Sequence, residues 1–148
     1  MKKLYLLRHA EAEPKGAGGK DSLRALTEYG LQQAAEVGRQ VRAKKISFGI
    51  ILTSPYVRAR QTAEIVAGIC GAEDVLVQEP SLASGCTVED MKKILRAYQD
   101  YDTVLCVGHE PDFGEIAAYF LRLESSRPLK KAELVEIDCA ESRPAGKR

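Results

Sequence analysis

The sequence predicts an α/β fold in which a largely parallel sheet lies between two layers of helices. Short apolar runs, typical of buried strands, alternate with longer segments whose apolar residues recur at helical spacing. The predicted strands are Lys3–Leu7, Gly49–Thr53, Val75–Val77, Thr103–Val107 and an edge strand at Leu134–Ile137. Strands that alternate with helices favour a parallel sheet covered on both faces, so we expect a three-layer sandwich without a cap domain.

The helices are predicted from N-terminal capping residues followed by apolar periodicity. The predicted N-terminal signals are Thr27, Ser54 followed by Pro55, Thr87 in a capping box with Asp90, and Pro111. Gly71 is a stop signal for the second helix. Each predicted helix connects two predicted strands, which is the order that a doubly covered sheet requires.

Length and composition indicate a single globular domain over residues 1–148. Of the 148 residues, 45% are apolar and 29% are charged, and no internal repeat or low-complexity linker divides the chain. The Gly-rich segment Glu11–Ala25 is predicted to be a mobile surface loop. The tail after Ala140 is predicted to be frayed.

Charge and apolar run length exclude several classes of protein. Twenty-two basic and 21 acidic residues leave a formal net charge of +1, without the basic excess of a nucleic-acid-binding domain. The run Leu4–Leu7 is too short for a signal peptide, and no run approaches the roughly 20 apolar residues of a membrane span. Four cysteines without a CxxC pair are typical of reduced thiols. We expect a cytoplasmic monomer that binds neither nucleic acid nor membrane.

Three predicted strands end in polar residues that would meet at one edge of the sheet. The first strand ends at Arg8 and His9, the second leads to Ser54 with Arg58 shortly after it, and the fourth ends at His109. The carboxyl ends of parallel strands lie together, and ligands bind just beyond them. Two guanidinium groups, two imidazoles and a helix N-terminus suit a phosphoryl dianion.

An imidazole between two guanidinium groups has the character of a nucleophile. Neighbouring positive charge disfavours its protonated form and keeps a nitrogen lone pair free at neutral pH. The second histidine is expected to be cationic, stabilising the equatorial oxygens of the transition state. Taken alone, His9 or His109 is better explained as a hydrogen-bonded residue at a strand end or turn. Together with Arg8 and Arg58, they favour a phosphate site.

Residues close to these four are predicted to have structural roles. Ser54 is interpreted chiefly as a helix N-cap and Arg60 as a solvated surface residue. Gln61 and Thr62 are expected to support packing and the orientation of the neighbouring arginine. The Gly-rich run that ends before Asp21 does not match a phosphate-binding loop, which has Ser or Thr at that position.

Three sequence blocks resemble a known family. Leu6-Leu7-Arg8-His9-Ala10 resembles the Arg-His-Gly signature of the histidine phosphatase superfamily, which includes the phosphoglycerate mutases. The segments 54–63 and 107–111 resemble its second arginine motif and its third element. The blocks span residues 4–120 in the expected order. The small size and the Arg8-His9-Ala10-Glu11 form resemble the SixA branch of bacterial phosphohistidine phosphatases.

The resemblance implies a phosphoglycerate mutase-like fold and a role for each matching residue. His9 would attack phosphorus and carry a phosphohistidine intermediate. Arg8, Arg58 and His109 would hold the phosphoryl oxygens, and water would hydrolyse the intermediate. No metal and no other cofactor is implied. Two scattered histidines and unpaired cysteines also leave a metal site without adequate ligands.

The substrate class is predicted from a missing acid. Larger relatives carry an acidic proton donor in the segment corresponding to Pro80–Val88, which contains no carboxylate here. Imidazole is a better leaving group than an alkoxide, so phosphohistidine or aryl phosphates are favoured over sugar phosphates. Glu11 and Glu110 are the alternative proton donors.

We therefore expect a signalling phosphatase that hydrolyses phosphohistidine on a carrier protein at an open, shallow site. The first alternative is a small-molecule phosphomonoesterase of the same superfamily. The second is a non-catalytic module that binds phosphate or a phosphoprotein.

Overall fold

The computed structural model describes residues 1–140, in which five strands form one sheet. The strands are β1 (Lys3–Arg8), β2 (Ile50–Thr53), β3 (Leu76–Gln78), β4 (Thr103–Gly108) and β5 (Leu134–Asp138). Their order in the sheet is β3-β2-β4-β1-β5. The first four are parallel, and β5 runs antiparallel to β1 at the edge. The prediction for the tail after Ala140 lies outside the described residues.

Helices cover both faces of the sheet. α1 (Glu28–Ala43) and α2 (Val57–Cys70) pack on one face, and α3 (Val88–Ala97) and α4 (Asp112–Phe120) pack on the other. In β1, Tyr5 and Leu7 enter the core beneath α1 and α2, whereas Leu4 and Leu6 enter the core beneath α3 and α4. This alternation explains the continuous apolar strands, because both sides of each strand are buried. The predicted three-layer sandwich is confirmed.

Three of the predicted helix ends are confirmed. Thr27 Oγ1 accepts the N–H of Gly30 at 2.9 Å, which caps α1. Thr87 and Asp90 form both hydrogen bonds of the capping box before α3. Gly71 follows α2 with φ 67°, a left-handed conformation that favours glycine.

The start of α2 differs from the prediction. Ser54 and Pro55 do not form the helix N-cap and first helical residue, because α2 begins at Val57. The Ser54 hydroxyl instead accepts the N–H of Tyr56 at 3.1 Å and lies 2.8 Å from Nε2 of His109. The Ser54 hydroxyl therefore contacts His109, which is distant in the sequence, instead of capping α2 as the local sequence pattern predicted.

The Gly-rich segment between β1 and α1 is folded back to the carboxyl edge of the sheet. It contains two 3-10 turns, Ala17–Gly19 and Asp21–Leu23, and an antiparallel bridge between Ala12 and Leu26 closes its base. Arg24 Nε donates to a carbonyl within the same segment at 2.6 Å. These contacts bring the second turn against α2.

Gly30 is a position at which α1 has no room for a side chain. A Cβ there would overlap the carbonyl oxygen of Glu11, just after the first motif, and would lie 3.0 Å from its carbonyl carbon. Since backbone must move to relieve that overlap, we expect Gly30→Ala to lower the free energy of unfolding by about 2–3 kcal/mol. Urea denaturation followed by circular dichroism measures the change.

Gly68→Ala is the matched control. Gly68 is exposed within α2, and the nearest atom to its added Cβ would be 3.6 Å away. Helix propensity alone predicts no loss, or a gain of up to about 1 kcal/mol. Equal destabilisation by the two substitutions would contradict the close approach at Gly30.

Candidate active site

The carboxyl ends of neighbouring strands bring the four predicted site residues together. The register pairs Arg8 of β1 with Gly108 of β4, so the residues that follow each of them, His9 and His109, are neighbours. Their ring centroids are 5.4 Å apart. Arg58, the second residue of α2, donates its Nε–H to Nε2 of His9 at 3.3 Å.

His9 is held as a neutral imidazole with a lone pair on Nε2. Its Nδ1 lies 2.7 Å from the carbonyl oxygen of Ala10, which only accepts hydrogen bonds, so Nδ1 carries the ring proton. Burial lowers the pKa of His9 to about 4, and the charges of Arg58 and Arg8 act in the same direction against the hydrogen bond to Ala10. The nitrogen facing Arg58 is therefore unprotonated at neutral pH.

The residues after the arginine motif support this arrangement. Thr62 Oγ1 accepts the N–H of Ala10 at 3.1 Å and donates to the carbonyl of Arg58 at 2.8 Å. Gln61 Oε1 accepts the N–H of Leu26 at 2.8 Å, which ties the end of the Gly-rich segment to α2. Thr62 thus contacts the backbone of Arg58 as predicted, whereas the contact of Gln61 is to Leu26 and its effect on Arg58 stays a prediction.

Burial favours the neutral form of His109 in this structure, whereas the prediction of a cationic His109 concerns the transition state and stays a prediction. Burial lowers its pKa to about 3, with further lowering by His9 and Arg58. Ser54 already accepts a backbone N–H, so its own hydrogen is free to donate to Nε2 of His109. That pattern places the ring proton on Nδ1, a buried atom without a hydrogen-bond partner in the described residues.

Arg8 offers a second buried donor of the same kind. Its Nη1 donates to the carbonyl of Leu129 at 3.1 Å, whereas its buried Nε has no partner among residues 1–140. Buried donors are rarely left unpaired in proteins, and their exceptions concentrate at functional positions. Arg8 precedes His9 in the sequence and the His109 ring lies 5.4 Å from that of His9, so unpaired donors on these two residues suit the oxygens of a phosphoryl group.

The two candidate proton donors have other hydrogen-bond partners. Glu11 accepts the hydroxyl of Thr27 at 2.7 Å. Glu110 accepts the N–H of Leu129 at 2.8 Å and so supports the carbonyl that holds Arg8. These contacts favour a structural role for each carboxylate, and their role as proton donors stays a prediction.

Asp21 was missed by the sequence analysis although it contacts Arg58 directly. Its carbonyl oxygen accepts Nη1 of Arg58 at 2.8 Å, and its Oδ2 accepts Nη2 at 3.1 Å. Arg24 Nη1 donates to Oδ1 at 3.0 Å. The hydrogen bonds from Arg24 and Arg58 lower the pKa of Asp21, so it is ionised at neutral pH. The position of Asp21 in a Gly-rich loop was the only feature of the sequence that could have indicated a role at the site.

Tyr56 is the other residue of the site that the sequence analysis did not identify. Its half-buried ring lies 4.9 Å from the ring of His109, and the Arg58 guanidinium carbon lies 5.1 Å from its centroid. An aromatic face in this position attracts the guanidinium and restricts its motion. Tyr56 therefore forms one wall of the site.

The part of the chain that the structure describes was searched for membrane-spanning helices and for clusters of metal ligands. Residues 1–140 contain no helix with the length and apolar composition needed to cross a membrane. Over the same range, no group of three or more His, Cys, Asp or Glu side chains is arranged to hold a metal ion.

Comparison with known proteins establishes the family. The sequence model of the histidine phosphatase superfamily (branch 1) matches residues 4–83, which include Arg8, His9 and Arg58. An uncharacterized protein of Picosynechococcus sp. PCC 7002 is 36% identical over 117 residues, covering 77% of this chain and 70% of that protein. The chain belongs to the histidine phosphatase superfamily.

Other comparisons describe the fold and a partial relative. The structure of the protein histidine phosphatase SixA with tungstate superposes with a TM-score of 0.83 and 23% identity, covering 94% of this chain and 90% of SixA. The fold is thus that of SixA. A probable phosphoglycerate mutase GpmB of Photorhabdus laumondii is 43% identical over 86 residues, or 55% of this chain. That match spans only 37% of the length of GpmB.

The lowered pKa values of both site histidines predict a loss of stability in mild acid. The ordinary pKa of 6.5 falls to about 4 in His9 and about 3 in His109, so the unfolded state binds more protons below pH 6.5. The free energy of unfolding therefore falls as the pH drops from 7.5, by about 2 kcal/mol for each histidine at pH 5.

Urea denaturation at pH 7.5 and pH 5.0 tests this expectation. The His9→Gln/His109→Asn double variant removes both titrating groups and is expected to lose clearly less stability between the two pH values than the wild type. An identical loss in both proteins would show that the imidazoles are not responsible.

The Ser54 hydroxyl is expected to control the tautomer of His109. Ser54→Ala removes the donor to Nε2, so the imidazole nitrogen shifts in ¹⁵N NMR spectra should show a redistribution of the proton between Nδ1 and Nε2. Ser54→Thr keeps the hydroxyl and should retain the wild-type pattern. The signals of His9, whose proton is held by the Ala10 carbonyl, provide the internal control. Unchanged His109 signals in Ser54→Ala would contradict the assignment.

Proposed function

We propose that this protein is a phosphatase that hydrolyses phosphohistidine on proteins through a covalent intermediate on His9. The observation that carries the proposal is the neutral imidazole of His9, whose free Nε2 lies 3.3 Å from Nε of Arg58. Within the described chain, Arg8 and His109, which adjoin His9 in sequence and in space, each have a buried nitrogen without a hydrogen-bond partner. A nucleophile surrounded by donors for phosphoryl oxygens is the arrangement that phosphoryl transfer requires.

The first chemical step transfers the phosphoryl group to the enzyme. The lone pair on His9 Nε2 forms a bond to phosphorus while the bond between phosphorus and the substrate nitrogen breaks. The leaving imidazole retains that electron pair and takes up a proton from solvent. The hydrogen bond between Nδ1 and the Ala10 carbonyl stabilises the positive charge that develops on the His9 ring.

The second step returns the enzyme to its starting state. A water oxygen attacks phosphorus, and the bond to Nε2 breaks with its electron pair returning to His9. One proton of the water passes to solvent and phosphate leaves. Throughout both steps, Arg58 and Arg8 offset the charge on the phosphoryl oxygens. A bound dianion also raises the pKa of His109 from its low value in the free site, which strengthens its Nδ1–H as a donor.

The preference for phosphohistidine follows from the supply of protons. Segment 80–88 contains no carboxylate, and Glu11 and Glu110 are engaged elsewhere by hydrogen bonds. An alkoxide leaving group needs a general acid, whose loss costs about 10²–10⁴ in rate, whereas an imidazole depends on it less. Similarity to the fold of a protein histidine phosphatase supports the same substrate class.

A small-molecule phosphomonoester is the second candidate substrate. It is favoured by the 43% identity to a probable phosphoglycerate mutase over 86 residues. That similarity argues for shared phosphoryl chemistry. The proton supply described above is the reason that we place this candidate second.

The domain organisation, compartment and oligomeric state of the protein are part of the same proposal. We propose a single domain over residues 1–148 that acts as a cytoplasmic monomer, in signal transduction, on a phosphorylated carrier protein. It requires neither a metal nor another cofactor, since every group used in the two steps belongs to the chain or to water.

Phosphate release from a phosphohistidine-bearing carrier protein tests the function. In EDTA, the wild type should release phosphate, and His9→Ala should release none because the nucleophile is absent. His9→Ala should still bind tungstate weakly through the two arginines. Release of phosphate only from an alkyl phosphomonoester would favour the second candidate. Tungstate binding without turnover of either substrate would indicate a phosphate-binding module.

Arg58→Ala is expected to lower kcat/KM by about 10³–10⁵-fold, as for other arginines that stabilise a transferring phosphoryl group. Arg60→Ala is the matched control, because Arg60 lies two residues further along α2 and is half-exposed beside Glu64. Its kcat/KM should remain within about a factor of two of wild type. Full activity of Arg58→Ala would place the phosphate site elsewhere.

A further inference from the structure

The guanidinium of Arg58 is held by Asp21 on one edge and faces His9 on another. Asp21 occupies the end formed by Nη1 and Nη2, using its backbone carbonyl at 2.8 Å and its carboxylate Oδ2 at 3.1 Å. The remaining side edge is formed by Nε and the second hydrogen of Nη2. On that edge, Nε donates to Nε2 of His9 at 3.3 Å.

The two edges of the Arg58 guanidinium can bind different groups. A phosphoryl group needs one edge that carries two N–H donors. Guanidinium groups bind phosphate through two parallel N–H bonds, which fixes its orientation as well as its position. A phosphoryl group attached to His9 Nε2 would meet the side edge, since Nε of Arg58 already points there. The end held by Asp21 faces a different direction, so the carboxylate and the phosphoryl group can bind the same guanidinium together.

Asp21 is itself anchored from behind. Arg24 donates through Nη1 to Oδ1 of Asp21 at 3.0 Å and through Nε to the carbonyl of Glu13 at 2.6 Å. The side chain of Arg58 is only 6% exposed, whereas that of Asp21 is 62% exposed. A mostly solvated carboxylate thus gains its orientation from Arg24 and transmits it to a buried arginine.

We propose that Asp21 is a positioning residue for phosphoryl transfer, clamping the Nη1–Nη2 end of Arg58 so that the Nε–Nη2 edge faces the phosphoryl group on His9. The inference rests on the proposed function and adds to it a residue from outside the three sequence blocks. An arginine side chain has several rotatable bonds, and Tyr56 restrains this one on one face only. The clamp supplies the restraint in the plane of the guanidinium.

Asp21 could instead compete with phosphate for Arg58, and that role predicts the opposite change in anion affinity. A carboxylate that competed with phosphate for Arg58 would have to leave before substrate bound, and its removal would strengthen anion binding. A clamp predicts the reverse, because a freely rotating Arg58 presents the correct edge less often. Anion affinity in Asp21 variants therefore separates the two roles.

The experiment is a double-mutant cycle between Asp21 and Arg58, read out as the dissociation constant of inorganic tungstate in an NMR titration. Asp21→Ala should weaken tungstate binding about 10-fold, the scale of a hydrogen bond between charged groups. Asp21→Asn keeps an acceptor oxygen and should weaken it less. In the Arg58→Lys background, which lacks the two-pronged edge, Asp21→Ala should have no further effect.

Asp100→Ala is the matched control for charge, because Asp100 is exposed and precedes β4 at the opposite edge of the sheet. Tungstate affinity should be unchanged in that variant. Tighter binding by Asp21→Ala would overturn the clamp in favour of competition. An equal loss on introducing Asp21→Ala into the wild type and into the Arg58→Lys variant would also overturn it, since Asp21 would then act on another group.

Turnover measurements keep this inference distinct from the proposed function. If the wild type hydrolyses phosphohistidine, Asp21→Ala should lower kcat more than it raises KM, because orientation matters most in the transition state. Tungstate binding needs no turnover, so the cycle tests the clamp even if the wild type is inactive. Hydrolysis by the wild type with strictly additive effects in the cycle would refute the clamp alone.

Discussion

The hydrogen bond between His9 Nδ1 and the carbonyl of Ala10 is the interaction on which the chemistry of the site depends. It places the ring proton on Nδ1 and leaves Nε2 as the free nitrogen. That carbonyl is held because the N–H of Ala10 donates to Thr62, which in turn donates to the carbonyl of Arg58. A short chain of hydrogen bonds therefore couples the tautomer of the nucleophile to the position of the arginine beside it.

The charged and polar groups of the same site are electrostatically unfavourable by themselves. Two imidazoles are buried next to two guanidinium groups, and both respond by losing affinity for protons. Within the described residues, donors on Arg8 and His109 are buried without partners, which costs stability in any protein. A phosphoryl dianion supplies the missing acceptors and the opposing charge together. The free energy that folding loses at this edge of the sheet is thus recovered on binding, so the site favours an anion over water without a large apolar pocket.

The sequence predicted the site residues that lie at the ends of parallel strands. It did not predict the roles of residues whose long-range contacts override a local sequence pattern. Arg8, His9 and His109 follow neighbouring parallel strands, so their meeting follows from the alternation of strands and helices. Ser54 was assigned to a helix N-cap on its dipeptide with proline, but His109 takes its hydroxyl. Asp21 contacts Arg58 across 37 residues, and no periodicity encodes the path of the loop between them. Burial lowers the pKa of His109, which the motif alone does not reveal, so the positive charge predicted for the transition state depends on the phosphoryl group itself.

A fold shared by enzymes with different substrates cannot by itself select one reaction, so the preference that we propose for phosphohistidine rests on the supply of protons. The donors around His9 stabilise any phosphoryl group, whatever its leaving group. What differs between substrates is the charge on the departing atom. Arg24 and Arg58 keep Asp21 ionised, and Glu110 accepts a hydrogen bond from the backbone that supports Arg8, so both carboxylates already have structural contacts. An imidazole takes its proton from water at neutral pH. A site whose acidic residues hold arginines, rather than act as general acids, is therefore suited to a substrate with a phosphorus–nitrogen bond, such as phosphohistidine.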